Sequence, residues 1–204
     1  NNRLIGVFAR LNRMCWRMKF YVGIIITAFF VFMRFAEAEQ SYTVKNERFE
    51  HYDGVPETLF FADNMKVIGR QRTWNGTMKF LVDMDNEHFK ISVETFHAQP
   101  GDDNFKSLPM GVQHIPLCDG FKTYFAKVAQ PSFVHGENTD FPYIPEEGLC
   151  PIPKGEYYFK NLTLKTDTWP TQLPKGNIKV KMTFFKDGVN IGAGAVVMKV
   201  EDGE

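Results

Sequence analysis

The sequence predicts a mainly β domain: two antiparallel sheets forming a β-sandwich with an apolar interior and one short helix. Three observations predict it. Apolar and polar residues alternate with period two along most of residues 39–204, which sets one row of each strand inward. Turn-forming residues separate those runs. Helical spacing is confined to residues 119–128.

Residues 1–38 read as a signal peptide. Arg10, Arg13, Arg17 and Lys19 precede an apolar run from Phe20 to Met33, and Ala36-Glu37-Ala38 has the small-x-small pattern of a cleavage site. The run is shorter than the roughly 20 residues that span a bilayer; a signal anchor is the alternative. Residues 39–204 then number 166, the size of one domain, with no permanent membrane span once the leader is cleaved. Of the chain's 24 basic and 24 acidic residues the leader holds six and one, so 18 against 23 remain, a net charge of −5. That balance argues against nucleic acid or an anionic membrane as the main partner.

Along the domain, a loose strand is expected near 42–52 and another near 57–70. Trp74-Asn75-Gly76-Thr77 reads as a tight hairpin turn, because Asn-Gly suits one. It leads into 77–84, where Met78, Phe80, Val82 and Met84 alternate with Thr77, Lys79, Leu81 and Asp83. Phe89, Ile91 and Val93 then oppose Lys90, Ser92 and Glu94. Gly101–Asn104 reads as a loop. Phe121, Tyr124, Phe125 and Val128 stand at i, i+3, i+4 and i+7, which predicts a short helix with Asp119 as its N-cap. Pro131–Gly148 is a long, Pro-rich loop.

Pro151 and Pro153 hold the following chain extended, and Lys154-Gly155 turns it into an aromatic-rich strand. If Asn161 and Thr163 face out there, Leu162 and Leu164 face in. Ile178, Val180, Met182 and Phe184 oppose Lys179, Lys181 and Thr183. Lys186-Asp187-Gly188 turns into a last strand with Val196, Met198 and Val200 against Lys199 and Glu201. Gly192-Ala193-Gly194-Ala195 lets that strand bend or approach another backbone closely. The expected count is six to seven strands.

Cys15 lies in the leader, leaving Cys118 and Cys150. In an oxidising compartment they form one disulfide, closing a loop of about thirty residues and contributing roughly 3–4 kcal/mol by chain entropy; two free thiols are the alternative. Asn75-Gly76-Thr77 and Asn161-Leu162-Thr163 fit the N-glycosylation acceptor pattern. His51, His88, His97, His114 and His135 lack any metal-ligand spacing, and no Gly-x-Ser-x-Gly elbow is present. Gly101-Asp102-Asp103 reads as a solvated turn. The Gly192–Ala195 run lacks the Gly-Lys-Ser/Thr end of a phosphate loop. No catalytic residue, metal or cofactor is expected.

Three blocks carry a family resemblance: Pro116-Leu117-Cys118-Asp119-Gly120 with Tyr124-Phe125 following, Leu149-Cys150-Pro151-Ile152-Pro153-Lys154-Gly155-Glu156-Tyr157, and Leu173-Pro174-Lys175-Gly176-Asn177-Ile178-Lys179-Val180. Their order and spacing resemble an insect family of small secreted proteins that includes the chemosensory CheB proteins. That family is distantly similar to the ganglioside-activator branch of the ML lipid-recognition superfamily. The resemblance covers about Ile115 to Phe185. It implies an ML-like β-cup over residues 39–204 enclosing an apolar pocket, and brings no catalytic residues with it. Ganglioside activators use several disulfides, where this domain can form one.

The inward faces are rich in Met and Phe, with 14 Phe among 166 residues, and such faces either fill a sandwich or line a cavity. Taken with the resemblance, they lead to the expectation of a secreted, extracellular protein that carries or presents a lipid or other small hydrophobic ligand, in a chemosensory setting. Phe80, Val82, Ile91, Val180, Met182 and Phe184 are the expected lining, with Phe121 and Phe125 as lid or rim. A cell-surface receptor is a further expected partner. The rival expectation is a β-sandwich with a closed core that acts through protein–protein contact with a receptor.

Overall fold

In a computed structural model, which describes residues 41–203, the alternating runs become nine strands in two antiparallel sheets. The expected leader, residues 1–38, lies outside the described residues. The larger sheet runs in the order β1 (Tyr42–Tyr52), β9 (Val189–Asp202), β8 (Gly176–Lys186), β5 (Phe89–Ala98), β6 (Lys106–Pro116). The smaller centres on β4 (Thr73–Phe80), with β2 (Phe60–Phe61) and β3 (Lys66–Ile68) along one edge and β7 (Gly155–Leu162) along the other. Asp187 (φ 50°) and Gly188 (φ 82°) make the tight turn expected between β8 and β9, where Lys186 pairs with Val189.

Several local expectations give way to tertiary context. The strand expected over 77–84 starts earlier and ends at Phe80, and the one near 57–70 is two short strands. Asn75-Gly76 is no hairpin tip. It lies inside β4, where β7 sets Lys160 and Asn161 against the single Asn75 in a bulge between the Trp74–Leu162 and Gly76–Phe159 pairs. Gly76 (φ 140°) is needed because a Cβ there would lie 2.7 Å from the Asn64 carbonyl oxygen. Its role is close approach of another segment, with the same residue type that would have made a turn.

β6 was not expected at all. Pro109 and Gly111 break its alternation, and its pairing with β5 is interrupted twice, between Ile91 and Val93 and between Glu94 and Phe96. Those features suit an edge strand, where an unbroken ladder would invite further pairing. The helix, α1, spans residues 117–128 as Leu117–Gly120, a π turn over Phe121–Phe125, and Ala126–Val128. Its N-cap is Pro116, not Asp119, and makes no side-chain cap bond. Asp119 instead accepts a hydrogen bond from Asn86 Nδ2 at 3.0 Å.

The sheets approach each other closely where β2 meets β9. The Leu59 and Val55 amides donate to the carbonyls of Ile191 (2.9 Å) and Asn190 (3.0 Å). A Cβ on Gly192 would sit 2.9 Å from the Phe60 carbonyl oxygen, and one on Gly194 would sit 2.7 Å from Phe49 Cζ. The glycines therefore provide the close backbone approach expected of them. Phe60 packs there against Phe184 and Phe80, with ring centroids 4.5 and 5.5 Å away. A second, smaller cluster gathers Tyr42, Ile178, Met198 and Val200 toward the other end of β8 and β9.

A further staple ties β1 to the β3–β4 turn. Arg72 donates from Nε to the Asn46 carbonyl and from Nη2 to the Glu47 carbonyl (3.0 Å) and carboxylate (2.8 Å). It satisfies backbone acceptors at the bulge in β1 between Asn46 and Arg48.

On the outer face of the larger sheet, Ala193, Ala195 and Val197 are buried although they point away from the other sheet. Their cross-strand neighbours Arg48, Glu50 and Tyr52 on β1, and Lys179 and Lys181 on β8, cover them with long side chains. Tyr52 donates to Glu50 (2.5 Å), Lys179 pairs with Glu50 (2.9 Å), and the Lys181 ammonium lies 4.9 Å from the Tyr52 ring centroid. Partial burial and the adjacent Glu50 carboxylate push the Tyr52 hydroxyl up to about 12. For Glu50, burial acts upward, but Tyr52, Lys179 and Arg48 together hold its carboxyl below the usual range.

Two outcomes are expected. Gly192→Ala combines a φ of 130° with a collision against Phe60, and denaturant titration should show a loss of about 1–3 kcal/mol. Because its folded-state pKa is depressed, Glu50 contributes stability above its ordinary value of 4.5, and that contribution fades as pH falls through the lower folded value. Melting temperatures of wild type and Glu50→Gln should differ near neutrality and converge in acid.

Candidate ligand-binding interior

Strands β5, β8 and β9 are the three central strands of the larger sheet, so their inward side chains should be its best-buried residues. At the two ends they are. Ile91 and Phe184 pair beside Gly192, and Ile178 pairs with Met198; all four side chains are buried. Between these lie two rows, Val93–Met182–Gly194 and Thr95–Val180–Val196. Val93, Met182, Val180 and Val196 are only half-buried. They occupy the middle of the inner face, so lying on a sheet edge does not account for their exposure.

The opposite wall repeats the pattern. On β4, Trp74 and Phe80 are buried while Met78 between them is half-buried. At the end of β7 Leu162 is buried, and beyond it Leu164 is half-buried, with Asn161 and Thr163 exposed, as alternation required. Phe125 and Phe133 are also half-buried and pack on the same apolar cluster. Phe49 on β1 meets Trp74 on β4 edge to face, at 5.8 Å between centroids, bridging the two sheets along one side of this space.

Helix α1 is held at both ends. Cys118 is bonded to Cys150, with Cα atoms 5.6 Å apart. At the far end, Thr168 Oγ1 and Trp169 Nε1 donate to the carbonyls of Lys127 (2.8 Å) and Val128 (3.0 Å), satisfying acceptors that a helix terminus leaves free. The loop after the helix is anchored by buried Gln130, which donates from Nε2 to the Ile144 carbonyl (2.9 Å) and accepts from the Ile144 amide (2.7 Å). These anchors stack Phe121, Phe125, Phe133 and Phe141 into one aromatic layer, with centroids of neighbouring rings 5.1–6.2 Å apart.

The structure divides the residues expected to line a pocket. Phe80, Ile91, Phe121 and Phe184 are buried within the main cluster, and Val82 packs against it half-buried. Val180, Met182 and Phe125 stand at the half-buried middle. Val93, Val196 and Met78 join them there; each lay on an alternating apolar face of the sequence, but alternation does not say where along a strand packing loosens. Phe133 lies in a loop with no periodic signal.

The half-buried side chains facing this space are aliphatic or aromatic and carry no charge. They act by removing apolar surface from water and by dispersion, not by proton transfer or coordination. The Tyr157 ring packs edge to face on Phe141 of the same aromatic layer, and its hydroxyl donates to the Pro153 carbonyl at 2.6 Å. Burial, with the charges of Asp140 and Asp83, raises its pKa, so it stays a neutral donor.

Residues 88–180 match the model of a family described as a protein of unknown function (DUF1091). The matched segment runs from the start of β5 into β8 and includes α1, both cysteines and β7. No curated protein matches the chain.

Replacing both cysteines, Cys118→Ala with Cys150→Ala, should lower unfolding free energy by roughly 3–4 kcal/mol. Hydrogen exchange should show the loss concentrated in α1 and the following loop, which the disulfide ties to the segment leading into β7.

Proposed function

We propose that this protein is a secreted binding protein that carries or presents a lipid or other small hydrophobic molecule between its two sheets. The observation that carries the reading is the half-burial of Val93, Val180, Met182 and Val196 on the inner face of central strands. A packed sandwich buries such positions. An apolar guest would complete their burial: covering some 300 Å² of hydrocarbon is worth on the order of 7 kcal/mol before the costs of binding. Kinship with the chemosensory CheB proteins and with the ganglioside-activator branch of the ML superfamily, suggested by the Cys118 and Cys150 blocks, supports the same reading and a chemosensory setting. The disulfide agrees with an oxidising, extracellular compartment.

Native mass spectrometry of the protein secreted from insect cells, before and after organic extraction, tests this. A stoichiometric apolar molecule released on extraction is the expected result. A ligand-free protein that also takes up no fluorescent lipid probe would instead favour a closed sandwich working through its surface.

The same spectra should show one N-glycan, on Asn161. Asn161 and Thr163 are exposed, whereas the Asn75 amide accepts from the Asn161 backbone N–H (3.1 Å) and donates to Thr73 Oγ1 (3.1 Å). Thr77 is similarly engaged, by Asn64 Nδ2 at 2.8 Å. Asn161→Gln should remove the glycan mass, and Asn75→Gln should leave it in place.

A further inference from the structure

We infer that the ligand site is a blind slot sized for one unbranched apolar chain of about ten carbons, too short for the full chain of a common membrane lipid. The inference rests on the carrier reading above and adds a length limit to it.

The two rows, in which Val93, Met182, Val180 and Val196 are half-buried and Thr95 and Gly194 buried, define the slot's direction. Each row crosses the strands instead of following one, from Val93 on β5 through Met182 and Val180 on β8 to Gly194 and Val196 on β9. On both sides along the strand direction the space is filled. Phe184 stacks with Phe60 at one side, and Ile178 packs with Met198 and Tyr42 at the other. A guest therefore cannot lie lengthwise along the strands, where a long acyl chain would find most room. It must lie across them.

Across the strands, one end is closed. A Cβ on Gly194 would come within 2.7 Å of Phe49 Cζ, so the Phe49 ring already covers β9 at that position. Behind it, Phe49 is braced edge to face by Trp74 of the other sheet. Toward the opposite end, Val93 pairs with half-buried Val112 on the edge strand β6. From β6 to β9 there are three inter-strand steps of ~4.8 Å, about 14 Å in all. An extended chain of about ten carbons fills that length. Gly194 fits this role: lacking a side chain, it lets the Phe49 ring seat directly on β9 beside Met182 and form the stop.

The test is a homologous series of straight-chain alcohols, from about six to eighteen carbons, displacing the fluorescent probe N-phenylnaphthylamine from the secreted protein. While each added methylene enters the slot, affinity should rise about fourfold per carbon. The rise should stop near ten carbons. Met182→Ala, which removes side-chain volume from the slot, should move the break to longer chains, and Val196→Phe should move it to shorter ones. Affinity that keeps climbing to sixteen or eighteen carbons would overturn the length limit while leaving the carrier reading intact. Failure of the wild-type protein to bind the probe or any alcohol would overturn the carrier reading and the slot with it.

Discussion

The seating of Phe60 on the glycines of β9 is the contact on which the remaining architecture depends. Two antiparallel sheets each bury one face, but nothing in alternation sets their separation. Here the smaller sheet reaches the larger through β2, whose flanking amides bond to the carbonyls of Asn190 and Ile191. Gly192 and Gly194 let the Phe60 backbone and ring come closer than any side-chain-bearing residue would permit. Phe80 and Phe184 then close around Phe60, and the disulfide-bearing segment packs on the same cluster.

That tight end has a consequence at the middle. Sheets pinned together at one end, with the larger sheet covered around Ile178 and Met198 by Leu164, Trp169 and Leu173 of the β7–β8 segment at the other, need not meet between. Large rings fill the first end, and Tyr42, Ile178, Met198 and Val200 the second, while valines, methionines and a glycine occupy the centre. Half-buried valines and methionines between two packed ends leave no polar side chain unsatisfied there. The price is modest, because apolar groups at the centre lose contacts but strand no hydrogen bonds.

The outer face of the larger sheet shows a complementary solution. Small residues on β9 lie beneath a lattice of Arg48, Glu50, Tyr52, Lys179 and Lys181, whose stems exclude water and whose charged ends remain paired. Strand β9 is thus buried on both faces without a third layer. This explains why β9 carries a run of alanine, glycine and valine where strict inside–outside alternation would place polar residues.

Read by itself, the chain determined its mainly β class, the tight turn between β8 and β9, the inward rows of β5, β8 and β9, the outward Asn161 and Thr163, and the existence of one helix. These follow from local chemistry: period-two alternation, backbone freedom at Asp187-Gly188, and a single i, i+3, i+4, i+7 run. The pairing of Cys118 with Cys150 was legible because the domain has no other cysteine. Tertiary structure decided what depends on a neighbour distant in sequence. Asn75-Gly76 became a bulge site and not a turn because β7 and the Asn64–Met65 backbone close around it. Pro109 and Gly111 hid β6, which forms because β5 offers a free edge. Asp119 gave up the cap to bond Asn86. The same holds for the interior: alternation named the faces, while the register of three strands and the bulk of Phe49, Phe60 and Phe184 decided which inward residues pack and which remain half-buried.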